Sequence, residues 1–394
     1  MNLLTTLNRE FPLFETDLLK FDTEITEIVK SSRFLVIGGG GSIGQAVSKE
    51  IFKRAPKLLH VVDLNENYLV ELVRDLRSQN YTHVSDFDTF ALDCGDANFL
   101  NFMTDGKYDY VLNLSAMKHV RSEHNAYCMS RMIKVNVENT LKTYDYSAEL
   151  DVKNYFCVST DKAANPANFM GATKRAMELC LMRQNAKLSM TGARFANVAF
   201  SNGSLLEGFR HRIEKQQPLS LPLDVSRFFI TQSEAGIICL FATILGKTNE
   251  ILFPFNENEI RLTGFKLIAE KYLHSLGLRA VNCNSEDEAK TLIRSLDLTK
   301  YWPVHCFQSD TSGEKPFEEF YTNFEDVVHD KYQDIATIKF MSQKTDDEIS
   351  SFFENIRRVD LSSKSARAQL IEIMKQFVPS FDHIDSNKFL NSRM

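Results

Sequence analysis

The stretch FLVIGGGGSIG, residues 34–44, decides the predicted fold. Four apolar residues typical of a buried strand run directly into a glycine-rich loop, and the helix-like segment QAVSKEIFKR follows. Glycines let the backbone turn tightly and approach a pyrophosphate, whose charge then meets the N-terminus of the next helix. A glycine triplet alone is weak evidence, but between a strand and a helix it indicates a dinucleotide-binding loop.

Two glycine spacings fit this loop. Gly38, Gly41 and Gly44 match the spacing of short-chain dehydrogenases, whereas Gly39, Gly41 and Gly44 match the general dinucleotide fingerprint. The residues of the loop that we expect to bind the cofactor are Gly38, Gly41, Ser42, Ile43 and Gly44.

Short apolar runs alternate with amphipathic stretches over the first half of the chain. The runs are FLVI (34–37), LLHVVD (58–63), TFALD (89–93), YVLNLS (110–115) and YFCVS (155–159). Such alternation predicts βαβ units and a parallel sheet. The fold class predicted is therefore α/β: a Rossmann-type doubly wound parallel sheet, with a smaller C-terminal substrate lobe.

The pattern also predicts a division of the chain. We expect an N-terminal helical extension over 1–32 and a Rossmann core over 33–200, completed by 227–255. The regularity weakens after residue 200, which favours a substrate-binding lobe made of 201–226 and 256–330. Residues 331–394 are rich in charged residues and serine, and we expect a C-terminal extension of exposed helices there.

The composition of the 394-residue chain excludes several classes of function. The net charge of −6 gives no reason to expect nucleic acid as a partner, and no apolar run is long enough for membrane insertion. The N-terminus lacks the basic-then-apolar order of a signal peptide. Seven cysteines without a CxxC pair argue against a disulfide framework or a metal site. We therefore expect a cytoplasmic protein.

Acidic residues at the ends of the second and third strands are candidates for contacts with the adenosine part of the cofactor. Asp63 can bind both ribose hydroxyls and would repel a 2′-phosphate, which favours NAD over NADP. A helix N-cap is the alternative role for Asp63. Asp93 is placed to meet the adenine amine, or else serves as a turn residue. Cys94, directly after the third strand, and Ser115, at the end of the fourth, also belong to the predicted cofactor-binding set.

The stretch STDKAANPANFMGATK, residues 159–174, contains the catalytic candidates. Short-chain dehydrogenases place Ser or Thr at the end of the fifth strand and a Tyr-x-x-x-Lys pair on one face of the next helix. In this chain Lys174 is present, but Met170 stands where the tyrosine is expected. Methionine cannot accept a proton, so the chemistry must either be lost or proceed without the tyrosine.

This stretch resembles the nucleotide-sugar 4,6-dehydratases of the extended short-chain dehydrogenase superfamily, above all the bacterial UDP-N-acetylglucosamine 4,6-dehydratases of polysaccharide biosynthesis. The resemblance spans roughly residues 34–320. It is supported by the glycine loop and by LSAMKHVRSE (114–123), NVENT (136–140), RFANVAFSNGS (194–204), RFFIT (227–231) and GEKPFEE (313–319).

The resemblance implies a role for each catalytic candidate. The family uses a Thr-Asp-Lys triplet, matched by Thr160, Asp161 and Lys162, and members with Met in the MGATK context retain the configuration at C5. Oxidation of C4 acidifies the C5 hydrogen, which Lys162 would remove as a neutral amine, while protonated Asp161 serves the departing C6 hydroxyl. We expect burial and the charges of Lys174 and the oxidised nicotinamide to lower the pKa of Lys162. Thr160 would hold the 4-hydroxyl or a water that relays its proton, and Lys174 would bind the nicotinamide ribose.

Other positions resemble the family's sugar-nucleotide contacts. The expected substrate-binding residues are Lys118, Asn197, Ser204, Arg227 and Glu314. Arg227 is the candidate for the diphosphate because a guanidinium matches phosphate oxygens bidentately, with a surface ion pair as the alternative. His119 is a weaker candidate, because a lone loop histidine is more often structural. The family's Arg-Pro before Gly-Glu-Lys is replaced here by Thr311 and Ser312, which leaves the recognition of the base open.

Two other functions remain open from the sequence. A nucleotide-sugar 4-epimerase on the same fold would need a base at position 170 and no dehydration acid, so Met170 and Asp161 speak against it. A non-catalytic NAD-binding sensor or scaffold would not require the triplet. For the dehydratase we expect NAD as cofactor, a nucleotide-sugar substrate and, by analogy with extended members of the superfamily, a homo-oligomer.

Overall fold

The computed structural model describes residues 3–81, 84, 86–184, 186–256, 260–310 and 312–385. In chain order the strands are β1 (Arg33–Ile37), β2 (Leu58–Asp63), β3 (Phe87–Ala91), β4 (Tyr110–Asn113), β5 (Asn154–Thr160), β6 (Met190–Phe195), β7 (Asn197–Val198), β8 (Leu219–Pro222), β9 (Ser226–Arg227), β10 (Phe229–Ile230), β11 (Glu250–Pro254), β12 (Thr263–Gly264), β13 (Arg279–Cys283), β14 (Tyr301–Phe307), β15 (Asp326–Val328) and β16 (Ile335–Lys339).

The helices surround and connect these strands. They are α1 (Leu3–Thr6), α2 (Glu15–Lys30), α3 (Ser42–Phe52), α4 (Glu66–Arg77), α5 (Phe99–Gly106), α6 (Ala126–Ile133), α7 (Asn139–Glu149), α8 (Phe169–Leu181), α9 (Leu205–Glu214), α10 (Gln232–Leu245), α11 (Phe265–Ser275), α12 (Glu286–Leu292), α13 (Asp346–Arg358) and α14 (Ala366–Phe377). Within the described ranges, no helix combines the length and the apolar character that crossing a membrane requires.

The central sheet brings the predicted motifs to one edge. Across the described chain, nine strands form it in the order β15-β16-β11-β6-β5-β4-β1-β2-β3, and the seven from β11 to β3 are parallel. Ile37 at the end of β1 pairs with Asn113 of β4, which in turn pairs with Cys157 of β5. Because parallel strands end at the same edge, the glycine loop after β1 and the triplet at the end of β5 lie near each other.

A smaller unit packs beside the carboxyl edge of this sheet. Its three parallel strands follow the order β13-β14-β8, and α9 and α11 cover them. Buried apolar side chains of this unit include Phe209, Leu221, Trp302 and Val304. The unit comes from the two segments in which the sequence predicted a substrate lobe.

The C-terminal part of the chain departs from the predicted division. Strand β15, assigned from sequence to the lobe, and strand β16, assigned to a helical extension, both join the central sheet as antiparallel edge strands. Residues 335–338 of β16 are all buried. Pairing with β11 satisfies their backbone groups and buries their side chains, which a surface helix would leave exposed.

Helix α14 also differs from the exposed helix that the sequence predicted. Its buried residues Ala366, Leu370 and Met374 are spaced four apart and form one apolar face. This face packs against α6 and α8, and α8 carries the candidates Met170 and Lys174. The C-terminal region therefore supports the back of α8, the helix that carries these two candidates.

A buried ion network joins three segments behind the carboxyl end of β5. Arg194 on β6 is fully buried and donates to Glu178 of α8 and to Glu325, at 2.8–3.0 Å. Glu178 also accepts a hydrogen bond from the hydroxyl of Ser159, at 2.6 Å. Burial raises the pKa of Glu178, but Arg194 and the other partners outweigh it and lower that pKa to about 2.

We predict that Arg194→Ala lowers the free energy of unfolding by about 3–5 kcal/mol, because Glu178 and Glu325 lose their fully buried partner and are left sharing Arg175. Since the folded pKa of Glu178 is about 2, below its ordinary 4.5, this stabilisation is present above pH 4.5 and is lost as the pH falls toward 2. Urea unfolding at pH 7 measures the effect. Arg357→Ala, which removes an exposed ion pair with Glu138, is the control and should cost less than about 1 kcal/mol. Equal losses in the two variants would contradict the assignment.

Candidate active site

Two cavities open at the carboxyl edge of the sheet, on either side of the glycine loop. The larger, of about 360 Å³, lies between the loop, the end of β5 and the smaller unit. The other, of about 270 Å³, lies over the ends of β2, β3 and β4. Gly38 and Gly41 line both cavities, so an elongated ligand that crosses the loop can occupy the two together.

The glycine loop has the geometry that a pyrophosphate requires. Gly38 has φ +76°, and a Cβ there would lie 2.5 Å from the backbone nitrogen of Ser115. A Cβ at Gly44 would collide with the backbone of Gly38 and Gly39. A Cβ at Gly41 would meet only the Gly38 carbonyl, at 3.5 Å, so that side of the loop is open to a ligand. Helix α3 begins directly after it and directs its N-terminus at this opening.

The smaller cavity contains the residues predicted to bind the adenosine half of the cofactor. Asp63, Asp93, Cys94 and Ser115 all line it. The carboxylate of Asp63 accepts a hydrogen bond from the Gly40 backbone at 2.9 Å, so it fixes the loop as well as facing the cavity. These residues fit a dinucleotide whose ribose lies at the end of β2.

The Thr-Asp-Lys triplet forms one hydrogen-bonded group at the end of β5. The Asp161 Oδ1 atom accepts from the Thr160 hydroxyl at 2.8 Å and from the Lys162 ammonium at 3.0 Å. Thr160 and Lys162 line the larger cavity, whereas Asp161 is 2% exposed and lies behind its wall. The second carboxyl oxygen of Asp161 is buried and has no hydrogen-bond partner among the described residues.

The electrostatics of Lys162 correct one prediction from the sequence. Burial lowers the pKa of Lys162, as expected, but the charges of Asp161 and Glu318 outweigh burial and raise that pKa above its usual value. The prediction of a lowered pKa was wrong because it left out two negative charges: that of Asp161, the larger contribution, and that of Glu318, whose Oε1 atom lies 3.6 Å from the Lys162 ammonium. In the ligand-free protein Lys162 is therefore an ammonium group held between two carboxylates.

Helix α8 places Met170 and Lys174 on the wall of the larger cavity. Asn168 caps the helix by accepting a hydrogen bond from the Gly171 backbone at 2.8 Å. Lys174 donates to the Val158 carbonyl at 2.9 Å. Burial lowers the pKa of Lys174, with Cys157 and Glu178 opposing it. Lys174 thus lies between the end of β5 and the cavity, at the position predicted for a ribose contact.

The predicted substrate-binding residues fall into two groups. Lys118, Asn197 and Ser204 line the larger cavity, and His119 lines it too. Arg227 and Glu314 are not among its lining residues in the described chain; they face each other at 3.4 Å. The Arg227 guanidinium also donates to the carbonyls of Lys315 and Pro316. A diphosphate role for Arg227 stays a prediction, and it would require these partners to be exchanged.

Two groups near the site were missed by reasoning from the sequence. Glu318 lies inside the GEKPFEE motif, yet no role was assigned to it, because the motif alone does not indicate which carboxylate faces inward. The C-terminal strap (residues 381–385) contains no motif at all. Its backbone bonds to Pro166, Ala167 and Gly313 at 2.8–3.0 Å, beside the segment that joins Lys162 to Met170.

A family model and several known proteins match this chain. A family model described as "Polysaccharide biosynthesis protein" matches residues 34–340. The chain is 34% identical over 235 residues to an uncharacterized membrane protein of Methanocaldococcus jannaschii, covering 58% of this chain and 68% of that protein. It is 30% identical over 268 residues to the capsular polysaccharide biosynthesis protein CapD of Staphylococcus aureus, covering 64% of this chain and 43% of that protein.

A third relative is an inverting UDP-N-acetylglucosamine 4,6-dehydratase of Campylobacter jejuni. The chain is 30% identical to it over 210 residues, which covers 50% of this chain and 59% of the dehydratase. The chain therefore spans less than two thirds of the length of both the capsular protein and the dehydratase.

Solved structures confirm the fold class predicted from the sequence. Pen from Bacillus thuringiensis matches with a TM-score of 0.64 at 21% identity, covering 80% of this chain and 91% of that one. The dTDP-glucose 4,6-dehydratase DesIV from Streptomyces venezuelae, solved with NAD and TYD bound, matches with a TM-score of 0.57 at 18% identity, covering 73% and 87%. The Rossmann-type architecture is thus shared with both proteins.

The glycine loop generates a prediction with a matched pair of variants. Gly41→Ala places a methyl group in the opening for the pyrophosphate, so it should fold normally but raise the Kd for NAD at least about tenfold, a loss of about 1.4 kcal/mol. Gly44→Ala forces a methyl group against backbone, so it should lower the free energy of unfolding by about 1–3 kcal/mol. Calorimetric titration and urea unfolding measure the two effects. If Gly41→Ala binds NAD as tightly as the unmodified protein, the pyrophosphate does not cross the loop there.

Proposed function

The chain belongs to the polysaccharide biosynthesis protein family, and from this membership we propose that it is a nucleotide-sugar 4,6-dehydratase. The proposed substrate is UDP-N-acetylglucosamine and the proposed product is the 4-keto-6-deoxy sugar, with the configuration at C5 retained. The observation that carries the proposal is the hydrogen-bonded Thr160–Asp161–Lys162 group on and behind the wall of a cavity bounded by the glycine loop. Retention of the C5 configuration is inferred from Met170, which stands where other members of the resembled family carry tyrosine.

NAD is the proposed cofactor. Gly38, Gly41 and Gly44 would hold its pyrophosphate, Asp63 its adenosine ribose and Lys174 its nicotinamide ribose. When bound, the nicotinamide ring supplies reversible hydride transfer at the sugar. Asp63 supports NAD over NADP because a carboxylate at the end of β2 accepts ribose hydroxyls and repels a phosphate.

The acid and the base of the proposed reaction lie within one hydrogen bond of each other. Transfer of a single proton across the 3.0 Å contact turns the ammonium of Lys162 into an amine and the carboxylate of Asp161 into an acid. The amine then takes the C5 proton. Asp161 is the acid for the departing C6 hydroxyl, and because it lies behind the cavity wall its proton passes through the Thr160 hydroxyl, which contacts Asp161 Oδ1 at 2.8 Å. The ammonium of Lys162 then returns a proton to C5, as the 4-keto-6-deoxy product requires. The Thr160 hydroxyl orients the 4-hydroxyl at the cavity wall.

Two alternatives remain as outcomes of experiment. A 4-epimerase returns hydride to C4 and needs no acid for C6, so it leaves Asp161 without a task. A non-catalytic NAD-binding protein would give none of the three triplet residues a chemical task. The dehydratase is favoured because it uses Thr160, Asp161 and Lys162 together.

We predict that Lys162→Ala slows dehydration by about a hundred- to ten-thousand-fold, the usual effect of losing a general base. The protein is incubated with NAD and UDP-N-acetylglucosamine, and mass spectrometry follows the loss of one water. In deuterated water the variant should also fail to exchange the C5 hydrogen. Lys153→Ala, at an exposed position, is the control and should react normally. Exchange at the unmodified rate in Lys162→Ala would show that Lys162 is not the base.

A second prediction concerns the cofactor. The nucleotide released by denaturing the purified protein should be NAD. Asp63→Asn removes the charge that repels a 2′-phosphate, so the preference for NAD over NADP, measured as a ratio of Kd values, should fall by about tenfold or more. Release of NADP alone would overturn the role given to Asp63.

A further inference from the structure

The carboxylate of Glu318 faces the catalytic triplet from a different part of the chain. Glu318 lies in the loop between β14 and β15 and is 4% exposed. Its Oε1 atom is 3.6 Å from the Lys162 ammonium and 3.9 Å from the Arg227 guanidinium. A buried carboxylate at this distance from the proposed base affects the charge of that base directly.

Lys162 is thus enclosed by charges from three segments. Asp161 approaches it at 3.0 Å from its own turn, Glu318 at 3.6 Å from the loop, and Arg227 contributes an opposing positive charge from β9. Glu318 in turn faces Lys162, Asp161, Arg227 and Lys315. Its own pKa is raised, by burial first and by the charge of Asp161, although the three cations oppose this.

We propose that Glu318 is a positioning residue that sets the protonation state of Lys162. When Glu318 is ionised, it stabilises the ammonium form of Lys162 and so keeps the base inactive. When Glu318 is protonated, Lys162 retains only Asp161 as an anionic partner and can pass its proton across that contact. The consequence for catalysis rests on the proposed dehydratase function, whereas the effect on Lys162 does not.

The loop geometry keeps Glu318 in this position. Two residues further along, the carbonyl of Phe320 accepts a hydrogen bond from buried Arg194 at 2.8 Å. The adjacent Glu319 is exposed instead and accepts a hydrogen bond from Asn165 at 2.8 Å. Glu318 and Glu319 are therefore a matched pair of carboxylates, of which only the first contacts Lys162.

The test measures the amine fraction of Lys162 in the ligand-free full chain by its rate of acetylation with acetic anhydride. Mass spectrometry compares Lys162 with exposed Lys153 in the same sample at pH 9. Even in a water-like dielectric, two unit charges 3.6 Å apart change an equilibrium constant by about sevenfold. Glu318→Gln should therefore label Lys162 at least about sevenfold faster than the unmodified protein, whereas Glu319→Gln should not change the rate.

A conservative variant separates charge from packing. Glu318→Asp keeps the negative charge, so its labelling rate should lie nearer to that of the unmodified protein than to that of Glu318→Gln. Equal labelling of Lys162 in the unmodified protein and Glu318→Gln would overturn the proposal, as would equal labelling in Glu318→Asp and Glu318→Gln. Circular dichroism confirms that each variant is folded.

The catalytic arm of the test uses the pH dependence of dehydration. Removing the charge of Glu318 lowers the pKa of Lys162, so the limb of the rate profile that rises with pH should move to lower pH in Glu318→Gln. If Glu318→Gln still dehydrates the substrate and the rising limb of its rate profile stays at the same pH, the proposed effect of Glu318 on catalysis is contradicted. Because labelling needs no substrate, a chain that turns out not to be a dehydratase still gives a result for Glu318.

Discussion

The buried guanidinium of Arg194 is the interaction on which the site depends. It binds Glu178, which holds Ser159 at the end of β5, and it also binds Glu325 and the carbonyl of Phe320 in the loop that carries Glu318. The two carboxylates that flank Lys162 therefore come from segments fixed by the same cation. A buried ion pair contributes little net stability, so its value here lies in fixing one geometry.

The sequence was sufficient for the parallel part of the fold. Glycine spacing and short apolar runs are local signals, and a parallel sheet with short connections converts them into a nearly unique topology. Strands β15 and β16 could not be predicted in this way, because β16 pairs with β11, which lies far earlier in the chain, and β15 joins the sheet only through β16. The burial of α14 was missed for a similar reason. Its apolar face is regular, but only the position of α8 explains what it packs against.

For the candidate site, residues at strand ends were predictable and residues that reach the site from the C-terminal third were not. Thr160, Lys162 and Lys174 line one cavity because they follow from the position of β5 and of the helix after it. Glu318 approaches Lys162 only through tertiary folding, and its charge acts together with that of Asp161 to raise the pKa of Lys162, opposite to the predicted direction. The error is informative, since it shows that burial alone does not determine the charge of a lysine placed between carboxylates.

The central claim is that the triplet supports an internal redox reaction in which hydrogen leaves C4 and arrives at C6 of the same sugar. The most direct measurement uses UDP-N-acetylglucosamine carrying deuterium at C4, with product analysis by NMR. We expect the deuterium in the C6 methyl group of a dehydrated product. Deuterium that remains at C4 of an isomerised sugar, or a substrate that stays unchanged in the presence of NAD, would contradict the account.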